Sequence, residues 1–171
     1  MQYRAYLGAA SNAAKGAAMI RRYGGPCKSG HIYKHRPGAY AILLQGSDIL
    51  LTFQAEPEPE FQLPGGGIDP GESPVRALHR EVVEETGWHI TPPRRLGAYR
   101  RFAYMPEYDM WAEKIAHLFV ARPTLKIGPP SEPEHTAIWC PVQDALVLLA
   151  NAGERAFLRS LLNQTKGRSS T

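Results

Sequence analysis

Three glutamates near the middle of the chain have the spacing of neighbours on one side of a helix. Glu81, Glu84 and Glu85 stand at positions i, i+3 and i+4, and an α-helix has about 3.6 residues per turn, so their carboxylates project from the same side. Such a group of like charges destabilises an isolated helix. A hard divalent cation such as Mg²⁺ reverses that effect, because it takes oxygen ligands and usually keeps substrate phosphates as further ligands.

The ends of this helix are marked by residues that favour helix termini. Ser73 is a good N-cap and Pro74 suits the first helical position, while Gly87 can adopt the left-handed conformation that ends a helix. An apolar stripe beside the carboxylates is formed by Val75, Leu78 and Val82. We therefore expect one side of the helix to face the core and the other to carry chemistry.

A glycine-rich turn precedes the helix. Residues 64–67 read Pro-Gly-Gly-Gly, and glycine lets the backbone approach a ligand or an ion closely. A carbonyl of Gly66 or Gly67 is therefore a candidate for one more oxygen ligand of the cation.

Residues 66–88 resemble the signature of the Nudix (MutT-like) hydrolases, written G-x5-E-x7-R-E-U-x-E-E-x-G-U, where U is a bulky apolar residue. The matching positions are Gly66, Glu72, Arg80, Glu81, Val82, Glu84, Glu85, Gly87 and Trp88. The resemblance covers 23 of 171 residues, and every fixed position is filled. The alternative is an acidic, solvated face on an ordinary amphipathic helix. The glycine turn, the helix caps and the Arg-Glu pair in one register favour the signature.

The resemblance implies a fold, an activity and a cofactor. The fold is of the α/β class, an α/β/α sandwich with a mixed β-sheet. The activity is hydrolysis of the diphosphate linkage of a nucleoside diphosphate joined to another moiety X, which releases a nucleoside monophosphate and X-phosphate. The cofactor is Mg²⁺, with Mn²⁺ as the alternative.

The resemblance also implies roles for the signature residues. Glu81, Glu84 and Glu85 would hold the metal together with the Gly66 carbonyl, and one glutamate is a candidate to accept a proton from the attacking water. We expect Arg80 to orient carboxylates with its forked guanidinium rather than to bind substrate. The alternative for Arg80 is a surface ion pair, which on its own would contribute little.

A further carboxylate is often recruited from outside the signature in this family. The segment at residues 134–139 resembles the late loop and strand that supply it. We therefore nominate Glu134 first and Glu132 second as an additional catalytic and metal-binding residue. The alternative is a solvated glutamate in a loop.

Substrate contacts are harder to infer from the sequence. Tyr104 lies 17 residues after Gly87, where some diadenosine-polyphosphate-cleaving members carry a tyrosine; the alternative is an aromatic core residue at a strand end. Arg100 belongs to a basic group that could hold phosphates bidentately or form a solvated strand edge: Arg94, Arg95, Arg100 and Arg101. Arg36 and Tyr40 precede or open the strand that usually faces the site in this family, so they are candidate contacts too.

Charge divides the chain unevenly. Residues 1–47 contain seven Lys or Arg and no Asp or Glu, although the net charge of the whole chain is only +4. We expect a basic, Ala-rich extension at residues 1–30, one domain at 31–165 and a tail at 166–171. The extension suits a transit peptide, a basic arm for nucleic acid or polyphosphate, or a passive surface segment, which we favour.

Local patterns predict the elements that position the candidate residues. We expect a helix within residues 1–23, weakened by two glycines, and a hairpin of strands 31–45 and 49–54. Three more strands are expected at residues 88–90, 96–104 and 113–122, then a loop at 127–135. A short strand at 136–140 and helices at 142–149 and 154–162, broken near Gly153, complete the chain.

Composition narrows the function classes. No apolar run approaches the ~20 residues that span a membrane, and the two cysteines form neither a disulfide framework nor a zinc pattern. We therefore expect a cytoplasmic protein with no membrane partner. The resemblance implies an enzyme with a small nucleotide-type substrate, and we expect no nucleic-acid partner; a homodimer stays open. Two alternatives are kept. One is a nucleotide-binding sensor without turnover, although no signature glutamate is lost. The other is an RNA 5′-end pyrophosphohydrolase using the basic extension.

Overall fold

A computed structural model describes residues 20–56 and 58–166. The strands are β1 (Arg21–Arg22), β2 (Tyr33–Gln45), β3 (Asp48–Gln54), β4 (Glu60–Gln62), β5 (Gly65–Gly67), β6 (Trp88–Ile90), β7 (Arg94–Met105), β8 (Met110–Ala121), β9 (Pro123–Lys126) and β10 (His135–Pro141). The helices are α1 (Pro74–Thr86), α2 (Val142–Leu148) and α3 (Ala152–Lys166), and a 3₁₀ turn covers Pro106–Tyr108.

Eight strands form the central sheet. Its order is β1-β7-β8-β2-β3-β10, with β4 on β3 and β5 on β2. The pairs β1–β7 and β2–β8 are parallel and the others are antiparallel. Strands β6 and β9 pair separately. The predicted mixed sheet is confirmed.

Strand β2 contributes side chains to hydrophobic cores on both faces of the sheet. Ala41 and Leu43 pack in the core that includes α1, whereas Ile42 and Leu44 pack in the core that includes α2 and α3. This division follows from the alternation of side chains along a strand. With α1 on one face and the two C-terminal helices on the other, the predicted α/β/α sandwich is confirmed.

Helix α1 begins and ends where the sequence predicts. The Ser73 hydroxyl accepts a hydrogen bond from the Arg76 N–H at 3.3 Å, and Gly87 has φ 72° and donates its N–H to the Val83 carbonyl at 2.8 Å. The expected apolar stripe is wrong at one position. Val75 is 41% exposed, and Ala77, which is fully buried, faces the core instead.

The predicted N-terminal helix falls mostly outside the described residues, which begin at residue 20. Its last residues are not helical. Arg21 and Arg22 form β1 beside Tyr99 and Arg100, and the Tyr23 N–H donates to the Arg100 carbonyl at 2.9 Å. The helix prediction is therefore wrong at its C-terminal end, because backbone pairing to the edge of β7 decides the conformation there.

Two further differences from the predicted elements have physical explanations. Strand β9 was not predicted, and it pairs with β6 across a large sequence separation. The break between the C-terminal helices lies before Ala152 rather than at Gly153. Gly153 belongs to α3 because the helix packs directly on the Tyr99 ring, where a Cβ at Gly153 would lie 2.6 Å from a ring carbon. The Asn151 side chain accepts the Gly153 N–H at 2.8 Å.

None of the helices in the described parts of the chain is long and apolar enough to cross a membrane.

We expect Gly87→Ala to lower the free energy of unfolding by about 3 kcal/mol, because left-handed backbone costs an L-residue ~1–2 kcal/mol and the new methyl adds an overlap. The overlapping atom is the Gly128 carbonyl oxygen. The matched control is Gly71→Ala, which also has positive φ (82°) but no atom within 4 Å of the new Cβ; it should cost about 1 kcal/mol. Urea unfolding measures both, and equal losses would contradict a close helix–loop contact at Gly87.

Candidate active site

The buried glutamates of α1 face the backbone of β5. Glu81 is 9% exposed and Glu85 only 3%. The Gly65 N–H donates to Glu85 Oε2 at 2.9 Å, and a Cβ at Gly66 would lie 2.6 Å from Glu81 Cδ. Only glycine leaves room for a carboxylate this close to the strand, which explains the glycine-rich turn.

Arg80 connects this helix to the preceding loop. Its Nη1 donates to Glu81 Oε1 at 2.7 Å and to Glu84 Oε2 at 3.1 Å. Its Nη2 donates to Glu72 Oε2 at 2.9 Å and to the Gly67 carbonyl at 3.0 Å. This arrangement suits the orienting role expected of Arg80. Because its guanidinium engages the Gly67 carbonyl, Gly66 is the better candidate of the two for a metal-binding carbonyl.

Burial and charge shift the pKa values of these groups in opposite directions. The hydrogen bond from Arg80 lowers the pKa of Glu72, and the same bond raises the pKa of Arg80. Burial raises the pKa of Glu81, and it raises the pKa of Glu85 well above its usual range despite the opposing Gly65 hydrogen bond. Two buried carboxylates are thus costly to ionise, and a positive ion beside them would stabilise their charged forms.

The loop before β10 adds a carboxylate to the cluster. The N–H groups of Ser131 and Glu132 donate to the Glu84 carbonyl at 2.8 and 3.3 Å, which fixes this loop on the C-terminal end of α1. As a result, carboxylate oxygens of Glu81, Glu84 and Glu132 lie within 4.8 Å of one another. Glu134, nominated first from the sequence, lines the same cleft but is not part of this group. The structure brings Glu132, the second nomination, to the signature glutamates.

His135 was not nominated from the sequence, although it directly follows Glu134. Its Nδ1 lies 2.6 Å from Glu132 Oε2 and 3.5 Å from Glu85 Oε1. Its Nε2 is buried and has no hydrogen-bond partner among the described residues. Ligand atoms of Glu85, Glu132 and His135 form a second group within 4.8 Å. A donor set made mainly of carboxylate oxygens fits a hard divalent cation, so the residues present suit the expected metal.

A cleft of about 530 Å³ opens beside the carboxylates. Of the four predicted substrate contacts, Arg36, Tyr40 and Tyr104 line it. Arg100 does not, because it lies on the opposite face of β7, where its Nε is 2.9 Å from Glu113 Oε1. The next residue, Arg101, lines the cleft instead. Side chains alternate between the two faces along a strand, so the neighbouring residues Arg100 and Arg101 lie on opposite faces of the sheet.

The aromatic candidates differ in their surroundings. Tyr104 is 45% exposed; its hydroxyl donates to Asp109, and its ring centroid lies 5.3 Å from that of Trp111. It therefore stands at the cleft entrance rather than in the core. Tyr40 is half-buried, and burial raises its pKa. The Arg36 guanidinium lies 5.1 Å from the centroid of the Tyr108 ring.

Comparison with known proteins bears on this site. The family model of the NUDIX domain matches the sequence over residues 34–161, which is most of the chain. The chain belongs to the NUDIX family. The match includes β5, α1 and the loop before β10, which build the carboxylate cluster, so the resemblance read from the signature is confirmed.

Several relatives share part of the NUDIX domain. A Bacillus subtilis (strain 168) protein, to which 8-oxo-dGTP diphosphatase activity is provisionally assigned, is 36% identical over 78 residues. The match covers 46% of this chain and 52% of that protein. A Helicobacter pylori (strain ATCC 700392 / 26695) RNA pyrophosphohydrolase is 39% identical over 59 residues, 32% of this chain and 38% of its own length. The chain thus spans about half or less of the length of these relatives.

Two solved structures of bacterial and archaeal MutT proteins share the fold. A MutT NUDIX hydrolase from Burkholderia pseudomallei superposes with a TM-score of 0.59 at 23% identity, covering 74% of this chain and 97% of that one. A MutT protein from Methanosarcina mazei Go1 gives a TM-score of 0.61 at 21% identity, covering 78% and 97%. At these identities the likeness establishes the architecture alone.

Glu154 is a buried carboxylate of the NUDIX cleft that sequence reasoning missed. It is 3% exposed, lines the cleft, and its Oε2 accepts the Leu63 N–H at 3.1 Å. Burial raises its pKa to about 7, against the lowering effects of the Leu63 bond and of Arg101. No local signal marks Glu154, because in the sequence it resembles any glutamate in the first turn of an amphipathic helix.

The raised pKa of Glu154 predicts a pH-dependent loss of stability. Well below pH 4.5 the carboxyl is protonated in both states, and between pH 4.5 and about 7 it ionises in the unfolded state but stays protonated in the folded state. The free energy of unfolding should therefore fall across this window, by up to about 3 kcal/mol from this group at 1.36 kcal/mol per pKa unit.

The test is Glu154→Gln, which keeps an acceptor for the Leu63 N–H. Relative to the wild type, this variant should gain stability as the pH is raised from about 5 to about 8, measured by urea unfolding at each pH. The control is Glu56→Gln at an exposed loop position, which should track the wild type. Parallel curves for wild type and Glu154→Gln would contradict the prediction.

Proposed function

We propose that this protein is a metal-dependent pyrophosphohydrolase that cleaves the diphosphate linkage of a nucleoside diphosphate joined to another moiety X. The observation that carries the proposal is the meeting of carboxylates from two distant segments, α1 and the loop before β10, on the wall of one cleft. Gathering carboxylates in one cleft costs free energy, and a bound cation with an anionic substrate would offset that repulsion. The intact NUDIX signature supports the same reading.

We assign Mg²⁺ as the cofactor, with Mn²⁺ as the alternative. Glu81, Glu84 and Glu132 form one group that would hold an ion, and Glu85 with His135 extends it; the Gly66 carbonyl is a further candidate ligand. When bound, the cation neutralises phosphate charge and lowers the pKa of a coordinated water.

The chain's own residues would position the substrate and the carboxylates. Arg80 keeps Glu81 and Glu84 oriented through its hydrogen bonds, and one carboxylate of the cluster accepts the proton of the attacking water. Arg36, Tyr40 and Tyr104 line the cleft where the remainder of the substrate would lie. Positioning and electrostatics of this kind supply most of the catalysis in phosphoryl transfer.

The two alternative functions considered from the sequence, a sensor and an RNA 5′-end hydrolase, rank below this proposal. A sensor without turnover is disfavoured because every signature glutamate is present and engaged. RNA 5′-end hydrolysis gains support from the Helicobacter relative, so a 5′-triphosphate RNA belongs in the substrate panel.

A cytoplasmic location is supported by the two free cysteines, Cys27 and Cys140. A homodimer remains a prediction for the solution state.

Glu85→Gln should lower kcat roughly 100-fold or more, about 2.7 kcal/mol of transition-state stabilisation, because the buried carboxylate charge is lost while an acceptor for Gly65 remains. The measurement is monophosphate release with excess Mg²⁺ from ADP-ribose, diadenosine polyphosphates, nucleotide sugars, canonical and oxidised nucleoside triphosphates, and 5′-triphosphate RNA. Near-normal rates in a folded variant would refute the role of Glu85. Absence of wild-type activity on the whole panel, with metal binding shown separately, would favour the sensor.

A paired comparison tests which late glutamate serves the metal. Glu132→Gln should raise the Mg²⁺ concentration needed for half-maximal activity roughly tenfold, because Glu132 lies within the carboxylate group. Glu134→Gln, two residues away and outside the group, should shift it less. Mg²⁺ titrations of both variants decide the point, and a larger shift in Glu134→Gln would restore the order read from the sequence.

A further inference from the structure

Three cationic side chains form a row across neighbouring strands in the cleft. Arg36 of β2 is the register partner of Lys114 of β8, and Lys114 is in turn the register partner of Arg101 of β7. All three line the cleft, so they project from the same face of the sheet. We call Arg36, Lys114 and Arg101 the basic row.

This row is electrostatically unfavourable as it stands. Like charges at directly opposite positions of neighbouring strands destabilise a sheet. Lys114 is half-buried; burial lowers its pKa, and Arg101 and Arg36 lower it further. Glu60 and Glu107 raise the pKa of Lys114 and so partly compensate.

Among the described residues, no carboxylate completes an ion pair with the basic row. Within residues 20–56 and 58–166, none of its nitrogens lies within 4.0 Å of an acidic oxygen. Arg36 faces the Tyr108 ring instead. The contrast with Arg100 is informative, since this neighbour of Arg101 on the other face of β7 is paired with Glu113 at 2.9 Å. Arg100 on the outer face of β7 therefore has an ion-pair partner, whereas Arg101 on the cleft face has none within 4.0 Å among the described residues.

The basic row lies close to the carboxylate cluster along β2. Arg36 is three residues from Ala39, and Ala39 pairs with Gly66 of β5, the residue on which Glu81 packs. Three residues of strand span about 10 Å. A diphosphate held at the carboxylates would therefore leave an attached anionic group within reach of the row.

We propose that the basic row binds a further phosphate group of the substrate, beyond the diphosphate that is cleaved. This inference rests on the proposed hydrolase function for the identity of the ligand and deepens it: the preferred substrates carry at least three phosphates. Guanidinium and ammonium groups form strong charge-assisted hydrogen bonds with phosphate oxygens. The third phosphate belongs either to the polyphosphate chain itself or to the sugar of the nucleoside, and both sources offer the row the same chemistry.

Binding of uncleavable probes tests the row independently of catalysis. In the presence of Mg²⁺, calorimetry compares methylene-bridged analogues of inorganic tripolyphosphate and pyrophosphate, which differ by one phosphate. The wild type should bind the longer analogue roughly tenfold more tightly or better. Lys114→Gln and Arg101→Gln should each reduce that preference severalfold, and the double variant should abolish it. Arg100→Gln, at the adjacent position but outside the cleft, should retain it.

A second pair of probes separates the two phosphate sources. ADP and adenosine 3′-phosphate 5′-diphosphate differ by a phosphate on the sugar. A preference for the latter that Lys114→Gln removes places the sugar phosphate on the row, whereas a preference confined to the tripolyphosphate analogue assigns the row to the phosphate chain. The proposal is overturned if neither longer probe is preferred by the wild type, or if Arg100→Gln reduces the preference as much as Arg101→Gln does.

Failure of the basic-row proposal and failure of the hydrolase proposal give different experimental results. If the wild type hydrolyses the substrate panel while the row variants leave the phosphate preference unchanged, only the basic-row proposal fails. If nothing on the panel is hydrolysed but the preference depends on Lys114 and Arg101, the row stands as an anion site and the hydrolase proposal fails.

Discussion

The hydrogen bonds of Arg80 are the interaction on which the rest of the site depends. One guanidinium joins Glu72 of the loop, the Gly67 carbonyl of β5, and Glu81 and Glu84 of α1. Without a positive group among them, these carboxylates would repel one another. Arg80 holds them in one orientation at the wall of the cleft, and its planar fork matches several acceptors at once, as a lysine ammonium would not.

The cleft combines two walls of opposite charge. The acidic wall comes from α1 and the loop before β10, and the basic wall comes from β2, β8 and β7. Each wall alone is destabilised by like-charge repulsion. On the proposed function, a polyphosphate with its cation would offset both, since the cation would neutralise the carboxylates and the phosphates would neutralise the basic row.

Membership of the NUDIX family accounts for the architecture, and several residues of the cleft lie outside the signature. The relatives carry names that refer to different substrates, an oxidised nucleotide in one case and RNA in another. The basic row, Glu154 and Tyr104 all lie outside residues 66–88. These positions line the cleft outside the carboxylate cluster, where the remainder of the proposed substrate would lie.

The sequence by itself determined the features that depend on near neighbours. Helix α1 followed from its caps and from the i, i+3, i+4 spacing, and the hairpin of β2 and β3 followed from two apolar, strand-like runs around a short turn. Tertiary structure decided whether Glu132 or Glu134 joins the cluster, because the N–H groups of residues 131 and 132 bind the Glu84 carbonyl across a separation of 47 residues or more. It also decided that Arg101 rather than Arg100 faces the cleft. A shift of one residue reverses the face of every side chain in a strand, and only pairing with distant strands sets that register.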